Sequence, residues 1–358
     1  MSLPSIRIVD LTRIRDQRGM RRYITPELQE AIQMALDQGN QSLIFLNRRG
    51  FAAFPICASC GQPIRCKNCD ISLTLHKRAN AFRCHYCGFS TAASGACPSC
   101  GGDQIRLMGV GTEKIEEAIT QLFPRARVAR MDKDTMTRKG ALIRLLKDLK
   151  HRRIDILVGT QMVAKGHDFP GITLVGIICA DLTLNFPDFR SGERTFQLLA
   201  QVAGRAGRGD RPGTVVLQTF NPDHFSIQAA RQQDFKSFFD AEIEFRKALG
   251  YPPFTRMIAL RISGRDQQNT ADHARLLGEK CRQLLTIGRA YRGQIKVMGP
   301  IEAPLPRIAG RHRWQLLVSS SGNKILHRFV HELISGDCAA PPGGRVKVAT
   351  DVDPLYLM

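Results

Sequence analysis

Residues 57–100 read CASCGQPIRCKNCDISLTLHKRANAFRCHYCGFSTAASGACPSC and hold eight of the eleven cysteines of the chain. The eight form four Cys-x-x-Cys pairs: Cys57/Cys60, Cys66/Cys69, Cys84/Cys87 and Cys97/Cys100. Each pair places two thiolates one tetrahedral edge apart, so two pairs complete a zinc site. The other cysteines are scattered along the chain. The sequence shows no signal peptide, which would have indicated an oxidising compartment and hence disulfides. The spacing therefore favours two zinc ions over disulfides.

The chain lengths between the pairs indicate how they combine. Only five residues separate Cys60 from Cys66, which leaves little chain to fold one pair onto its neighbour. Fourteen residues separate Cys69 from Cys84, enough for a hairpin that joins the second and third pairs. An interleaved pairing is the alternative. We expect nested sites, with an outer site and an inner site made respectively of Cys57, Cys60, Cys97, Cys100 and of Cys66, Cys69, Cys84, Cys87.

The residues between the cysteines are mostly polar, and few large apolar side chains are available for a core. We therefore expect the metals to supply most of the folding energy, and a chelator to unfold this block first. His76 and His85 could each replace a cysteine as a ligand. Because eight cysteines are present, we expect both histidines at the surface.

The chain on either side of the cysteine block alternates between apolar strands and helices. The predicted strands are Ile6–Asp10, Ser42–Asn47, Arg127–Met131, Asp155–Gly159, Ile172–Ala180 and Thr214–Thr219, and the predicted helices are Pro26–Gln38, Thr112–Phe123, Arg138–Arg152 and Glu193–Ala203. This alternation predicts an α/β domain with a doubly wound parallel sheet. The cysteine block is then an insertion between a strand and the next helix.

A rigid break at Tyr251–Phe254 precedes a segment with a different rhythm. The predicted order there is strand Arg256–Ser263, helix Gln268–Leu285, strand Gln294–Met298, strand Arg313–Ser319, helix Lys324–Ile334 and strand Arg345–Thr350. The order βαββαβ is that of the α+β ferredoxin-like motif. We therefore expect one domain over 1–56 and 101–250, a zinc-binding insertion over 57–100 and a ferredoxin-like domain over 251–358.

The chain is strongly basic, with 52 Lys and Arg against 32 Asp and Glu and a formal net charge of +20. This balance favours polyanionic partners, and nucleic acid is the leading candidate. The most apolar run, Ile172–Ala180, is too short to span a bilayer, and no lipidation signal is present. We therefore expect no membrane partner.

Two stretches carry residues suited to phosphate chemistry. Gln201–Arg208 ends a predicted helix with arginines three residues apart, Arg205 and Arg208, and guanidinium groups can stabilise charge on a γ-phosphoryl group. Gly159–Pro170 follows a buried strand, where the loops of a parallel sheet form sites. Thr160 in this stretch could bind a nucleic-acid phosphate, and Asp168 could link that contact to a nucleotide.

Taken in order, these segments resemble the PriA family of bacterial primosomal replication-restart helicases. The matching segments are Phe45–Gly50, the four cysteine pairs, Gly109–Lys114, Arg130–Thr135, Thr160–Pro170, Phe189–Arg194, Gln201–Arg208 and Asp351–Pro354. The resemblance spans almost the whole chain. It implies that residues up to about 235, without the cysteine block, form the second RecA-like lobe of an ATP-dependent 3′-to-5′ DNA helicase of superfamily two.

The resemblance also implies roles for individual residues. ATP and magnesium would bind between two lobes of the intact enzyme. Arg205, Arg208 and Gln201 would sense the γ-phosphate, while Thr160, Gly166 and Asp168 would couple nucleotide to DNA. Arg311 and Gln315, close to Trp314, suit the terminal carboxylate of an acidic protein tail. The alternative for that segment is a Trp314 in the core between solvated arginines.

The implied partners are forked DNA with its single-stranded/duplex junctions, the acidic tail of the single-stranded DNA-binding protein and other primosome proteins, in the cytoplasm. The cysteine block should emerge on the same side of the sheet as Thr160. It would act there as a wedge at the fork or as a docking surface.

The sequence departs from a complete motor in one respect. It contains neither a Walker A loop, Gly-x-x-x-x-Gly-Lys-Ser/Thr, nor a Walker B acid, and Gly109–Lys114 lacks the Gly-Lys-Ser/Thr ending. We therefore expect the C-terminal half of a larger protein, and no ATP hydrolysis by this chain alone. A non-catalytic, zinc-dependent scaffold for nucleic acid or protein is the alternative function.

Overall fold

The computed structural model describes residues 4–14, 23–47, 54–76, 79–93, 96–108, 111–132, 134–164, 169–207, 212–335 and 346–357. Among these residues, no helix is both long and apolar enough to cross a membrane. The chain forms two compact units. The first comprises Met1–Pro63, Ala96–Phe186 and Arg190–Ala241, and the second comprises Ile64–Gly95, Pro187–Phe189 and Glu242–Met358.

A six-stranded parallel sheet forms the centre of the first unit. The chain up to residue 249, which includes some elements of the second unit, contains β1 (Ser5–Asp10), α1 (Pro26–Asp37), β2 (Gln41–Phe45), β3 (Phe54–Cys57), β4 (Thr74–His76), β5 (Ala81–Arg83), β6 (Ser90–Ala92), β7 (Ile105–Met108), α2 (Thr112–Leu122), β8 (Val128–Met131), α3 (Ala141–Lys150), β9 (Ile156–Gly159), α4 (Gln161–Ala164), β10 (Ile172–Ile177), α5 (Asp181–Leu184), α6 (Ser191–Ala203), β11 (Thr214–Thr219), α7 (Phe225–Gln232) and α8 (Phe235–Leu249). The strand order is β1-β11-β10-β2-β9-β8, with every neighbouring pair parallel.

Helices cover both faces of this sheet. Along β2, Leu43 and Phe45 face the layer that contains α3, α6 and α7, whereas Ile44 faces the layer that contains α1 and α2. A strand buried on both faces needs apolar residues at consecutive positions, which is why the run in β2 is continuous. The predicted parallel sheet is confirmed.

The boundaries of several elements differ from the sequence expectation. Helix α3 begins at Ala141, because Gly140 before it is left-handed (φ 81°). Strand β10 ends at Ile177, three residues before the expected end at Ala180, and the short helix α5 begins at Asp181. Sequence patterns had not indicated α7 or α8. Helix α1 begins as expected, since the hydroxyl of Thr25 accepts from the N–H of Leu28 (3.3 Å).

The cysteine block divides between the two units. Strands β3 and β7 form an antiparallel ribbon in the first unit, with Cys57 opposite Ile105. Strands β4, β5 and β6 form a three-stranded antiparallel sheet in the second unit. The β4–β5 hairpin lies between Cys69 and Cys84, as the fourteen-residue spacing predicted.

The second unit also contains a four-stranded antiparallel sheet. Its elements are β12 (Arg256–Gly264), α9 (Gln267–Ile287), β13 (Lys296–Ile308), β14 (Arg311–Ser320), α10 (Asn323–Ile334) and β15 (Val346–Val352), in the order that the sequence predicted. The strand order is β13-β14-β12-β15, with every neighbouring pair antiparallel. Helices α9 and α10 pack on one face through residues such as Leu277 and Phe329, against Leu260 and Leu316 of the sheet.

Candidate zinc centres and sheet-edge site

The four Cys-x-x-Cys pairs adopt the same local structure, a zinc knuckle. In each, the N–H four residues after the first cysteine donates to the carbonyl of that cysteine, at 2.8 to 3.1 Å. The donating residue has a positive φ, and it is Gly61 (72°), Asp70 (50°), Gly88 (79°) or Gly101 (73°). Glycine adopts this conformation without a steric cost, and aspartate tolerates it. A glycine or aspartate directly after each pair was therefore a sequence signal that went unused.

The knuckles combine into two groups of four thiols. The outer site contains Cys57, Cys60, Cys97 and Cys100, and the inner site contains Cys66, Cys69, Cys84 and Cys87. Within each group all four sulfur atoms lie within 4.8 Å of one another. The nested arrangement is therefore the one that the structure shows.

The sulfur distances fit a tetrahedral metal and exclude disulfides. The Sγ atoms of Cys57 and Cys100 are 3.6 Å apart, and those of Cys60 and Cys97 are 3.8 Å apart. At the inner site the Sγ atoms of Cys66 and Cys87 are 3.6 Å apart. A tetrahedron with Zn–S bonds of about 2.3 Å has edges of about 3.8 Å, whereas a disulfide bond is about 2.05 Å long. Both donor sets therefore fit zinc.

Backbone amides point at the sulfur atoms and favour their ionised form. The N–H of Tyr86 donates to Cys84 Sγ (3.4 Å) and that of Phe89 to Cys87 Sγ (3.5 Å). A hydrogen bond from Cys69 lowers the pKa of Cys84 to about 5, whereas burial raises the pKa of Cys66 to about 12. Four thiolates this close need a divalent cation to balance their charge, which is what zinc would supply when bound.

The inner site is held by side chains that lie far away in sequence. The hydroxyl of Tyr251 donates to the carbonyl of Cys69 (2.8 Å), and Nε2 of Gln315 donates to the carbonyl of His85 (2.7 Å). Nδ1 of His85 lies 2.9 Å from the carbonyl oxygen of Glu302. Thus β14 and the segment before β12 bond to the backbone of the inner knuckles, and β13 bonds to the side chain of His85.

Three aromatic rings add apolar support around the inner site. The ring of Tyr251 stacks on that of Phe189 at 4.7 Å and lies edge-on to that of Tyr86 at 6.4 Å. The N–H of Phe189 donates to the hydroxyl of Tyr86 (3.2 Å), and all three residues are buried. Their placement explains why Pro187–Phe189 belongs to the second unit.

The expectation that both histidines lie at the surface is wrong. His85 is 1% exposed, and His76 is half-buried with its ring 5.1 Å from that of His85. Burial lowers the pKa of His85 to about 4, so the ring is neutral. Its position in a knuckle that packs against β13 causes this burial. Neither histidine joins a group of thiols.

The carboxyl edge of the parallel sheet carries a polar network. Thr160 directly follows β9 and is buried, with its N–H donating to Met131 at the end of β8 (3.3 Å). Next to it, Nε2 of Gln161 donates to Oδ1 of Asn47 (2.8 Å), and Nδ2 of Asn47 donates to the hydroxyl of Thr183. Sequence reasoning singled out Thr160 alone. The signal for the others was their position directly after parallel strands.

Asp132 also lies at this edge and fixes the chain after β8. The hydroxyl of Thr112 donates to Oδ2 of Asp132 (2.6 Å), and the N–H of Thr135 donates to Oδ1 (2.9 Å). Burial raises the pKa of Asp132, but these hydrogen bonds outweigh it and lower the pKa below its usual value. The carboxylate is therefore charged at neutral pH.

The arginine motif lies at the opposite edge of the sheet. Arg205 is 6% exposed, in the turn after α6, and Gln201 is an exposed residue of that helix. The N–H of Gly207 donates to the carbonyl of Ile172 at the start of β10 (3.1 Å). The structure therefore does not bring Arg205 together with Thr160. Gly166, Asp168 and Arg208 lie outside the described residues.

The two residues expected to bind a protein tail, both in β14, already donate hydrogen bonds to other parts of the second unit. Gln315 is 4% exposed and donates to His85, while Nη2 of Arg311 donates to the carbonyl of Ser263 (2.8 Å). Trp314 packs against the core beneath α9 and α10, whereas Arg311 and Arg313 are half-buried and not the solvated arginines of the alternative. The tail-binding role stays a prediction.

Three family models match this chain. The Primosomal protein N C-terminal domain matches residues 247–355, the PriA DNA helicase Cys-rich region domain matches residues 66–91, and the helicase conserved C-terminal domain matches residues 102–210. The chain is similar to curated proteins named "Replication restart protein PriA". That of Bacillus subtilis (strain 168) is 38% identical over 357 residues, which are 99% of this chain and 43% of the relative. That of Synechocystis sp. is 42% identical over 360 residues, which are 99% of this chain and 42% of the relative.

The chain spans about half the length of the curated relatives it matches. Among solved structures, S. cerevisiae Dbp5 bound to RNA and ADP BeF3 has a TM-score of 0.35 at 13% identity, over 69% of this chain and 45% of that one. So low a score carries no argument. The parallel sheet, the Cys-rich module and the further domain define the C-terminal lobe of a helicase with its appended domains. Within that class, the chain carries the C-terminal domains found in PriA proteins.

Proposed function

We propose that this chain is the C-terminal part of an ATP-dependent 3′-to-5′ DNA helicase that restarts stalled replication forks and starts primosome assembly. The observation that supports this most is identity of 38% and 42% to replication restart proteins over 99% of the chain. The scaffold alternative is not favoured, because residues 102–210 match a helicase domain that a scaffold would not need.

In this proposal the parallel sheet is a RecA-like lobe that acts against a first lobe. ATP and magnesium lie between the two lobes, where Arg205, Arg208 and Gln201 sense the γ-phosphate. Thr160 lies at the carboxyl edge of the sheet, directly after β9, and the N–H of Gly207 donates to the carbonyl of Ile172 at the amino edge (3.1 Å). The position of Thr160 directly after a buried parallel strand supports a role for this stretch, with Thr160, Gly166 and Asp168, in coupling nucleotide to DNA.

The remaining parts have separate roles in the proposal. Residues 57–100 bind two structural zinc ions and contact DNA at the fork or the next primosome protein. Residues 251–358 form a ferredoxin-like domain, supported by the strand order β13-β14-β12-β15 in an antiparallel sheet. This domain binds single-stranded DNA and, through Arg311 and Gln315, the acidic tail of the single-stranded DNA-binding protein. The domain limits 1–56 with 101–250, 57–100 and 251–358, and a cytoplasmic location, belong to the same proposal.

Two assays test this function. The isolated chain should bind forked DNA but should not hydrolyse ATP, because it has no Walker A loop to hold the phosphates. DNA-stimulated turnover by this polypeptide alone would contradict the proposal. In the intact protein, Arg205→Ala should abolish ATP hydrolysis and retain DNA binding, whereas Lys247→Ala, at an exposed position on α8, should change neither.

A further inference from the structure

Helix α3 presents a row of exposed cations on the outside of the parallel-sheet unit. Residues 138–153 contain seven Lys and Arg but one Asp. Arg144, Lys147 and Lys150 are all exposed, and their spacing of three residues keeps them on one side of the helix. At a rise of 1.5 Å per residue the row is about 9 Å long. We name these three residues the α3 stripe.

The opposite face of α3 is already packed. Leu149 is buried in the core of the unit, and Leu142, Leu145 and Leu146 pack against that core. Ile143 is the apolar residue of α3 that stays exposed (60%), and one isoleucine is too little apolar surface to enter a membrane. This leaves the cations as the part of α3 that is available to a partner.

Nearby acids do not neutralise the stripe. Asp148 pairs with Arg153 (3.1 Å) and Asp155 pairs with Arg127 (2.6 Å). Among the described residues, no acid pairs with any member of the stripe. Its positive charge is thus open to an external anion.

Helix stability explains only part of this charge. Lys147 and Lys150 lie in the last turn, where cations interact favourably with the helix dipole. Arg138 and Lys139 precede the first turn, which contains no acid, and cations there are unfavourable. Because the cations before the first turn of α3 cost helix stability, their presence favours a role of this basic segment in binding.

We propose that the α3 stripe binds the phosphate backbone of a duplex DNA arm, a contact that rests on the proposed DNA-binding function. Residues 134–153 contain no Phe, Tyr or Trp, so the surface lacks the rings on which single-stranded bases stack. A duplex presents its phosphates on the outside and keeps the faces of its bases stacked inside, so its binding does not need aromatic rings. Because α3 returns the chain from the end of β8 to the start of β9, its first turn lies toward the edge that carries Thr160. The stripe therefore continues away from that edge along the side of the lobe.

Salt-dependent binding of the chain to a fluorescent blunt duplex tests this contact. The variant Arg144→Gln/Lys147→Gln/Lys150→Gln should bind roughly ten-fold more weakly at about 0.1 M salt, and the slope of log K against log salt should fall by roughly two to three. The matched control is Lys114→Gln/Arg125→Gln/Lys247→Gln, which removes the same charge from exposed positions outside α3. Its slope should stay close to that of the unmodified chain. Because all six side chains are exposed, thermal unfolding should change little, with a small loss in the α3 variant from the removal of Lys147 and Lys150 at the helix C-terminus.

Each other outcome overturns a definite part of the inference. Equal losses in the two triple variants would show a general charge effect, and an unchanged slope in the α3 variant would remove the stripe from the interface. An equal loss for a single-stranded oligonucleotide would contradict the choice of duplex. No duplex binding by the unmodified chain would overturn the stripe contact. Only the additional absence of binding to forked DNA would overturn the proposed function.

Discussion

The outer and inner zinc sites have the same knuckles but different surroundings. At the outer site Cys100 is exposed and Cys60 is half-buried, and support comes from the short ribbon of β3 and β7. At the inner site three of the four cysteines are buried, and Tyr251 and Gln315 bond to the knuckle backbone. Cysteine spacing thus defines the ligands, whereas distant side chains decide how firmly each site is held.

The expectation that metals supply most of the folding energy stays a prediction, but its premise of few large apolar side chains does not hold at the inner site. Ile71, Leu73, Phe82 and Tyr86 are all less than 5% exposed there. This small apolar core contributes to stability in addition to the metal. A chelator should therefore release the outer metal before the inner one.

Loss of a ligand should give the largest difference between the sites. Cys84→Ser should reduce bound zinc from two ions to one and destabilise the second unit by more than about 4 kcal/mol, because a buried metal is lost. Cys100→Ser, its exposed counterpart, should also remove one ion but have a smaller effect. Zinc content by atomic emission and chemical unfolding provide the measurements. Equal destabilisation by the two variants would contradict the comparison.

A matched pair of glycines at the outer site should give the next largest effect. A Cβ at Gly61 (φ 72°) would lie 2.0 Å from the carbonyl oxygen of Phe220, whereas one at Gly101 (φ 73°) would meet no described atom within 4 Å. Gly101→Ala should cost about 1–2 kcal/mol for the left-handed backbone alone. Gly61→Ala should cost at least twice as much and weaken zinc binding. Similar unfolding curves for the two variants would show that Phe220 does not constrain the knuckle.

The anchor on the inner site should have a moderate effect. Gln315→Ala leaves the carbonyl of His85 without its donor and should cost about 1–3 kcal/mol. Arg307→Ala, at an exposed position on β13, is the control and should change stability little. Zinc release to a chromogenic chelator should have a faster phase from the outer site and a slower phase from the inner site. Gln315→Ala should raise the rate of the slower phase only. If Gln315→Ala raised the rate of the outer phase instead, Gln315 would not be an anchor of the inner site.

The smallest effect is expected from one hydroxyl. Tyr251→Phe removes the bond to the carbonyl of Cys69 but keeps the ring on Phe189, so it should cost about 1 kcal/mol. Tyr251→Ala should cost about 3 kcal/mol or more, because the stacking is lost as well. If the two substitutions shift the unfolding midpoint equally, the ring contributes nothing.

Local patterns predicted much of the molecule. Apolar runs such as that in β2 located the parallel strands, and the fourteen residues between Cys69 and Cys84 indicated the hairpin between them. The role of Gln315 could not be read in this way, because its partner His85 is 230 positions away. The bond from Tyr251 to Cys69 spans 182 positions. For the same reason the sequence predicted a single insertion over 57–100. The structure instead divides its knuckles between the two units.

The sheet-edge site shows the same limit. Sequence reasoning assigned γ-phosphate sensing to Arg205 and nucleotide–DNA coupling to Thr160, but it did not indicate where the two residues lie relative to each other. The structure places Thr160 after β9 and the turn of Arg205 beside the start of β10, at opposite edges. In this parallel sheet each strand runs toward the carboxyl edge and the helix after it returns the chain to the amino edge, so a motif at the end of a strand and one at the end of a helix lie at opposite edges.

Zinc counting by native mass spectrometry on two double variants tests the nested pairing most directly. Cys57→Ser/Cys97→Ser removes two ligands from the outer site alone, so the chain should keep one zinc ion. Cys57→Ser/Cys84→Ser removes one ligand from each site, so the chain should keep none. The reverse result, no zinc in the first variant and one ion in the second, would contradict the nested arrangement.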